Sequence, residues 1–336
     1  MVITIDGSHS EGGGQIVRTA VALSAVTKKP IKIINIRAKR CVPGLSHQHI
    51  ASINAIAQLF NAKTKGVVLG SKEIEFIPKT QVKTPITINI PTAGSVSLVL
   101  QTLLIAGINT KRTIHATIIG GATFGKWAPP ITYTEEVLGH ILKEVGYGFK
   151  LDIFKHGFYP KGGAKVLVWI KPQNHITPFD IKKRGEMKFF GFSIASSDLK
   201  CARVSERQKQ AALTRILSEA KIRAKYVKTD CPGSAIVLWA IGKNCAIGAD
   251  ALGERKVFAE NVGTMSGDTF EKSLMSLAPI DKNLVDQLIP YLAFAGGSIK
   301  VESITDHTLA NIYVTEKLTG KKFIVDDKQN TISVTF

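Results

Sequence analysis

The run Thr305-Asp306-His307-Thr308-Leu309-Ala310-Asn311 sets an imidazole between two kinds of sequence. A strand-like run, Ser298 to Ile304, leads in, and an amphipathic run, Leu309 to Leu318, closed by Gly320, leads out. His307 is therefore predicted at a strand-to-helix junction. Unpaired amides and the positive end of the dipole at a helix start attract phosphate oxygens. A neutral imidazole beside a captured phosphate can attack it. Taken alone, a capping or packing histidine is the structural alternative.

A second group of residues lies at the other end of the chain. Asp6-Gly7-Ser8 and Glu11-Gly12-Gly13-Gly14-Gln15-Ile16-Val17-Arg18-Thr19 form a glycine-rich loop opening a helix. Such a loop brings backbone amides close to a ligand; Glu11 suits a divalent metal, and Arg18, one turn into the helix, suits a phosphate. A linker or cap is the alternative. The Gly-x-Gly-x-x-Gly fingerprint is absent, and Gly121-Ala122-Thr123-Phe124-Gly125-Lys126-Trp127 lacks the spacing and hydroxyl of a P-loop. Arg37 and Arg40, with Lys39 between them, suit phosphate contacts or a solvated loop face. Gln48 and His49 open a predicted helix, where capping also explains them. Gln101 interrupts an apolar helix, so its amide must find a partner. Asp286-Gln287 suit the early turns of a helix.

The elements that must position these residues recur along the chain. Residues 1–80 read as strand (Val2–Ile5), helix (Gln15–Val26), strand (Ile31–Ile36), helix (His47–Phe60) and two strands (Lys65–Val68, Glu73–Ile77). Residues 84–172 repeat that order: strand Ile86–Ile90, helix Ser95–Ala106, strand Thr113–Ile118, helix Ile131–Val145, strands Leu151–Phe154 and Ala164–Ile170. A third copy is split. Its helix (Leu284–Ala295), strand (Ser298–Ile304), helix (Thr308–Lys317) and strand pair (Lys322–Val325, Thr331–Thr335) are C-terminal, and its first strand should fall just before residue 182. A period of roughly 80 residues is too long for a solenoid. The expected fold is α/β (α+β): three four-stranded-sheet and two-helix units around a common core, plus a smaller inserted α/β domain. The expected divisions are 1–181, 182–278 and 279–336. The insert should contain strands Lys188–Ser193, Ile236–Ile241 and Cys245–Gly248 and helices Ser205–Ala220 and Ala259–Ser276.

At 336 residues, 44% hydrophobic and 21% charged, the chain can bury a sizeable core. A net charge of +18 points to a polyanionic partner, RNA foremost; a lysine-rich surface that aids solubility is the alternative. Residues 182–278 hold 17 Lys and Arg against 10 Asp and Glu, so the excess is spread along the chain. Cys41, Cys201, Cys231 and Cys245 form no Cys-x-x-Cys pair, which argues against a zinc cage or disulfide framework and favours a reducing cytoplasm. The start lacks a leader pattern, and the longest apolar stretch, Val96 to Ile108, is short and broken by Gln101, so no membrane partner is expected.

The chain resembles the RNA 3'-terminal phosphate cyclases. The likeness runs in one order through Asp6-Gly7-Ser8, Glu11-Gly12-Gly13-Gly14-Gln15, Arg37-x-x-Arg40-x-x-Pro43-Gly44-Leu45-x-x-Gln48-His49 and Gly157-Phe158-Tyr159-Pro160-Lys161-Gly162-Gly163. It continues through Gly248-Ala249-Asp250-Ala251-Leu252-Gly253-Glu254 and Asp286-Gln287-Leu288-Ile289-Pro290-Tyr291-Leu292 to the His307 motif. The resemblance implies four-stranded core units like the C-terminal domain of a translation initiation factor, and an insert of the same elements.

It also implies a ligase-class reaction in which ATP and a divalent metal, Mg²⁺ or Mn²⁺, convert an RNA 3'-terminal phosphate to a 2',3'-cyclic phosphate. His307 would be the nucleophile that carries AMP. The lysine of Lys-x-Asp-Gly ligases is missing, since Thr4-Ile5 precedes Asp6-Gly7. The resemblance assigns Gln101 and Asn283, Leu284, Val285, Asp286 and Gln287 to ATP, with Pro130 near the adenine. Charge developing on the phosphates would fall to Glu11, Arg18, Arg37, Arg40 and the glycine loop, with Gln48 and His49 on the phosphate or RNA side. Two positions depart from the family pattern: Asn283 stands where some members carry a stacking tyrosine, and Ala310 where the motif has threonine. A catalytically inactive, RNA-binding relative in ribosome biogenesis is the alternative class, set against by the retained His307. An enolpyruvyl transferase rests on likeness of repeated units alone.

Overall fold

Alternating apolar residues build four four-stranded sheets in the computed structural model, which describes residues 1–80, 82–173 and 175–334. β1 (Ile3–Asp6) and β2 (Ile31–Ile34) pair in parallel through the crossover helix α1 (Gly14–Thr27). α2 (His47–Leu59) leads to β3 (Lys63–Lys65) and β4 (Ile74–Ile77), giving the order β1-β2-β4-β3. Ile31 and Ile33 of β2 are buried while Lys32 between them is not, as the pleat requires.

The second unit repeats that plan. β5 (Ile86–Ser95), α3 (Val96–Ala106), β6 (Ile114–Ala122), β7 (Phe149–Lys155) and β8 (Lys165–Ile170) give the order β5-β6-β8-β7. The helix expected over Ile131–Val145 is not uniform. α4 (Ile131–Tyr133) passes into a π-helical turn, Thr134–Leu138, before α5 (Gly139–Glu144), and Gly139 N–H donates to Thr134 O. One extra residue per turn leaves no mark on apolar spacing over so short a run.

β9 (Phe179–Ile181) supplies the strand expected just before residue 182. The chain then makes a separate sheet from β10 (Met187–Ser196), α6 (Val204–Leu213), β11 (Ala220–Val227), β12 (Ser234–Gly242), β13 (Cys245–Leu252) and α7 (Ala259–Met275). Its order is β11-β10-β12-β13, with the first strand internal, so the inserted sheet does not copy the core pattern. The helix expected to reach Ala220 stops at Leu213, and Ile222 and Tyr226 alternate with Arg223 and Lys225 in a strand just beyond it that is not among the expected elements.

The third unit closes with α8 (Lys282–Ala295), β14 (Gly297–Lys300), α9 (Asp306–Thr319), β15 (Phe323–Asp326) and β16 (Thr331–Val334). β14 pairs in parallel with β9 and antiparallel with β16, so the core strand order appears a third time. Thr335, the end of the expected last strand, lies outside the described residues.

The helices of the three units face one another. α1 packs on α3 and α9, and α8 on α3 and α9, around Ile16, Leu23, Leu100, Leu103, Leu288 and Val314, all fully buried. The inserted sheet buries Leu238 and Ile247 beneath α6 and α7, while its other face turns Val237 and Trp239 into the main core. Among the described residues no helix is long and apolar enough to cross a membrane.

Candidate active site

His307 lies within the first turn of α9, not before it. The strand expected to run to Ile304 ends at Lys300, and residues 302–305 turn the chain into the helix. Thr305 caps that helix: its hydroxyl accepts from Thr308 N–H at 3.2 Å. The His307 side chain stays about half exposed, at 52%.

What holds the imidazole comes from the opposite end of the chain. Gln15, second residue of α1, turns its Oε1 to His307 Nδ1, while its Nε2 donates to Asp286 Oδ2 at 2.8 Å and to the His307 carbonyl at 3.0 Å. Glu11 Oε1 lies 2.8 Å from the same Nδ1, and Glu11 Oε2 accepts from Arg40 Nη2 at 2.9 Å. Nδ1 therefore carries a proton, which in the neutral ring leaves the lone pair on Nε2. The hydrogen bond and charge of Glu11 hold the His307 pKa above its ordinary value against burial. Burial raises Glu11, but His307 and Arg40 outweigh it and keep that carboxyl below the usual range.

Gln15 was not singled out in the sequence as a site residue. A buried amide at the start of an apolar helix, directly after three glycines, was the available signal.

Behind the imidazole, Gln15, Arg18, Gln101, Asp286, Gln287 and Asn311 are among the residues lining a cavity of about 20 Å³, room for one or two waters. Burial pushes the Asp286 carboxyl up to about 6 despite the pull of His307 and Arg18. Arg18 makes no salt bridge or hydrogen bond among the described residues. Burial lowers its pKa to about 10, so it remains a cation at neutral pH. Gln101 donates to Gln287 Oε1 at 2.8 Å, and Gln287 donates to the Asn283 carbonyl at 2.7 Å. Asn311 bonds both Thr19 and the Asp286 carbonyl, knitting α1, α8 and α9 together.

Other expected ATP residues are not brought to this cavity. Leu284 and Val285 are fully buried among the apolar core, because α8 needs them to pack, so their side chains cannot meet a ligand here. Asn283 is exposed, and Pro130 is buried at the start of α4; neither lines the cavity.

The phosphate and RNA candidates divide likewise. Arg40 reaches the site through Glu11, whereas Arg37 donates to the Gly44 carbonyl at 2.9 Å and braces its own loop. Gln48 Oε1 accepts from Ser95 N–H at 3.1 Å, tying α2 to the start of α3. His49 is 3% exposed, its Nδ1 accepts from Ser46 N–H at 3.0 Å, and its Nε2 faces the Gly14 backbone where a Cβ would collide. Burial, with Arg18 and Arg37, depresses its pKa to about 3, so it is a neutral cap. Both residues make structural contacts in this geometry.

Among the described residues, no group of three or more His, Cys, Asp or Glu side chains could hold a metal unaided. Glu11 Oε1 is nonetheless buried beside His307 Nδ1, with no other partner among the described residues. Mg²⁺ commonly takes one or two carboxylates and draws its remaining ligands from substrate phosphates and water. The donor set fits such an ion in the company of a polyphosphate.

Repeated sheet-and-helix units, with one imidazole held between the first unit and the last, define a class of α/β protein. The family model described as RNA 3'-terminal phosphate cyclase matches residues 9–325. The RNA 3'-terminal phosphate cyclase of Pyrococcus abyssi is 42% identical over 329 residues, covering 97% of this chain and 95% of that one. Those of Methanosarcina barkeri, at 40% identity with 99% of each chain covered, and Caldivirga maquilingensis, at 42% with 93% and 91% covered, are similar at comparable levels. The chain belongs to the RNA 3'-terminal phosphate cyclase family.

Proposed function

We propose that the protein converts an RNA 3'-terminal phosphate to a 2',3'-cyclic phosphate at the expense of ATP, through AMP carried on His307. The observation that carries this reading is the engagement of Nδ1 by Gln15 and Glu11, which directs the free lone pair to Nε2. Family membership supplies the reaction.

In the first step Nε2 attacks the α-phosphorus of ATP; an N–P bond forms, the bridging P–O bond breaks, and pyrophosphate leaves. The Nδ1 proton stays between Gln15 and Glu11, which stabilise the cationic ring as it forms. In the second step an oxygen of the RNA 3'-phosphate attacks that phosphorus and breaks the N–P bond, returning the imidazole. In the third, the neighbouring 2'-hydroxyl loses its proton and attacks the 3'-phosphorus, and AMP departs. Arg18 faces the nucleotide phosphates, and Arg40 the RNA end. Glu11 would hold the divalent ion, Mg²⁺ or Mn²⁺, which supplies charge neutralisation when bound.

The cavity of about 20 Å³ would receive part of the nucleotide, with Gln101 and Gln287 in its wall. We place Gln101, Asp286 and Gln287 as side-chain contacts, with Asn283 at the rim. Cys41 and Cys201 are exposed free thiols, which suits a reducing cytoplasm.

The test is an oligonucleotide ending in 3'-phosphate, incubated with ATP and Mg²⁺, beside the same oligonucleotide ending in 3'-hydroxyl. Only the first is expected to yield a cyclic phosphate end. Absence of that product under conditions where ATP binds would overturn the reading.

A further inference from the structure

β7 is an edge of the second sheet and β11 an edge of the inserted sheet, and the two line one cleft of about 330 Å³. Phe154, Lys155 and His156 stand on one wall, Lys225 and Lys228 on the other, and among the described residues no carboxylate lines it. Lys225 and Lys228 are exposed and form no salt bridge among the described residues. Lysines commonly guard a sheet edge against pairing. A guard has no use for the exposed aromatic ring of Phe154, 64% accessible, with Lys165 over its face.

The walls are fixed relative to each other. The turn Gly157 to Gly163 receives the insert's loop: Cys231 Sγ donates to the Phe158 carbonyl at 3.3 Å, and Asp230 pairs with Lys155 at 2.7 Å. Cβ atoms at Gly163 and Gly233 would strike Asp230 and Phe158, so this contact needs both glycines. A motif with no place in the catalytic chemistry thus sets the cleft's width. His156 also shares Thr123 with the candidate active site. Its Nδ1 lies 3.1 Å from the Thr123 hydroxyl, and the Thr123 carbonyl accepts from Ile131 N–H at 2.9 Å, opening the helix that carries Leu138 to the cavity.

We propose that this cleft binds single-stranded RNA on the 5' side of the terminal phosphate, with Lys225 and Lys228 on backbone phosphates and Phe154 stacked on a base. A basic groove with an exposed aromatic suits single strands of any sequence, because every base has a face to stack and every nucleotide a charge. The proposal rests on the RNA reading above and names a second contact for the same substrate.

Fluorescence anisotropy of two RNAs with 3'-phosphates, about three and about twelve nucleotides long, tests it on the full chain. In Lys225→Gln/Lys228→Gln the longer RNA is expected to bind roughly tenfold more weakly, and its log–log salt slope to fall by about 1.4; the shorter RNA is expected to be unaffected. Phe154→Ala should weaken the longer RNA roughly fivefold or more. These side chains are exposed, so the variants should fold, which circular dichroism checks. Unchanged affinity for the longer RNA in both variants would overturn the cleft and leave the RNA reading standing. Failure of the unsubstituted protein to bind either RNA would overturn both. Competition by polyglutamate as strong as by RNA of equal charge would mark a general anion surface and overturn the proposal.

Discussion

Glu11 Oε1 lies 2.8 Å from His307 Nδ1, joining the loop before α1 to the first turn of α9. One carboxylate thereby touches the nucleophile with one oxygen and braces Arg40 with the other. Glu11→Ala is expected to suppress transfer of AMP to the protein by roughly 100-fold, because departing pyrophosphate loses charge compensation. Single-turnover labelling at saturating ATP checks this, and a variant that labels at the normal rate would remove Glu11 from the chemistry.

Gln15 makes three contacts at once: His307 Nδ1, the His307 carbonyl and Asp286. In Gln15→Leu the ring keeps only Glu11 at Nδ1, and misplacement of the imidazole by about 1 Å costs about 100-fold in rate. Asp286 loses its partner too, and the variant should be destabilised by about 1–3 kcal/mol. Nucleotide affinity measured by calorimetry separates the effects: it should change far less than the labelling rate.

Arg40 is an exposed cation paired with Glu11, and such a pair contributes about 1 kcal/mol or less to stability. Arg40→Ala should leave labelling largely intact while slowing passage of AMP to RNA and steepening the need for low salt. Poor labelling by Arg40→Ala, combined with normal transfer from protein already carrying AMP, would mean that the guanidinium serves ATP instead of RNA.

Burial holds His49 neutral, with a pKa of about 3 against 6.5 when unfolded. The unfolded state therefore binds the extra proton first, and this contribution to stability, complete above pH 6.5, is lost progressively as pH falls toward 3. By pH 5 the loss is about 2 kcal/mol. His49→Leu gives up the cap, so at pH 7 it should be less stable by about 1 kcal/mol. The gap between variant and parent should close or reverse at pH 5. Urea titrations at both values measure it, and a pH-independent gap would contradict the burial account.

The repeat was legible because each core unit alternates apolar residues with period two in strands and wider spacing in helices, as Ile31 and Ile33 in β2 and the α1 face do. β11 was hidden because Ala220 to Val227 lies in a lysine-rich run next to a helix, and the π-helical turn at Thr134 has too few residues to show a period. For the site, His307, Glu11 and Arg40 stood out by charge and motif. Gln15 did not, since an amide gains meaning only from what it touches, and here both partners lie near the far end of the chain. Gln48 and His49 looked like ligand groups by type, and the packing of Ser46, Ser95 and Gly14 around them gives both structural contacts that the sequence did not specify.

The central claim is that His307 Nε2 carries AMP. Incubation with Mg²⁺ and ATP labelled at the α-phosphorus is expected to leave label on the protein that acid releases and alkali does not, as an N–P bond requires. His307 is half exposed, so His307→Ala should fold, and it should retain no label. Acid-labile label persisting on His307→Ala at the level of the parent would contradict the account.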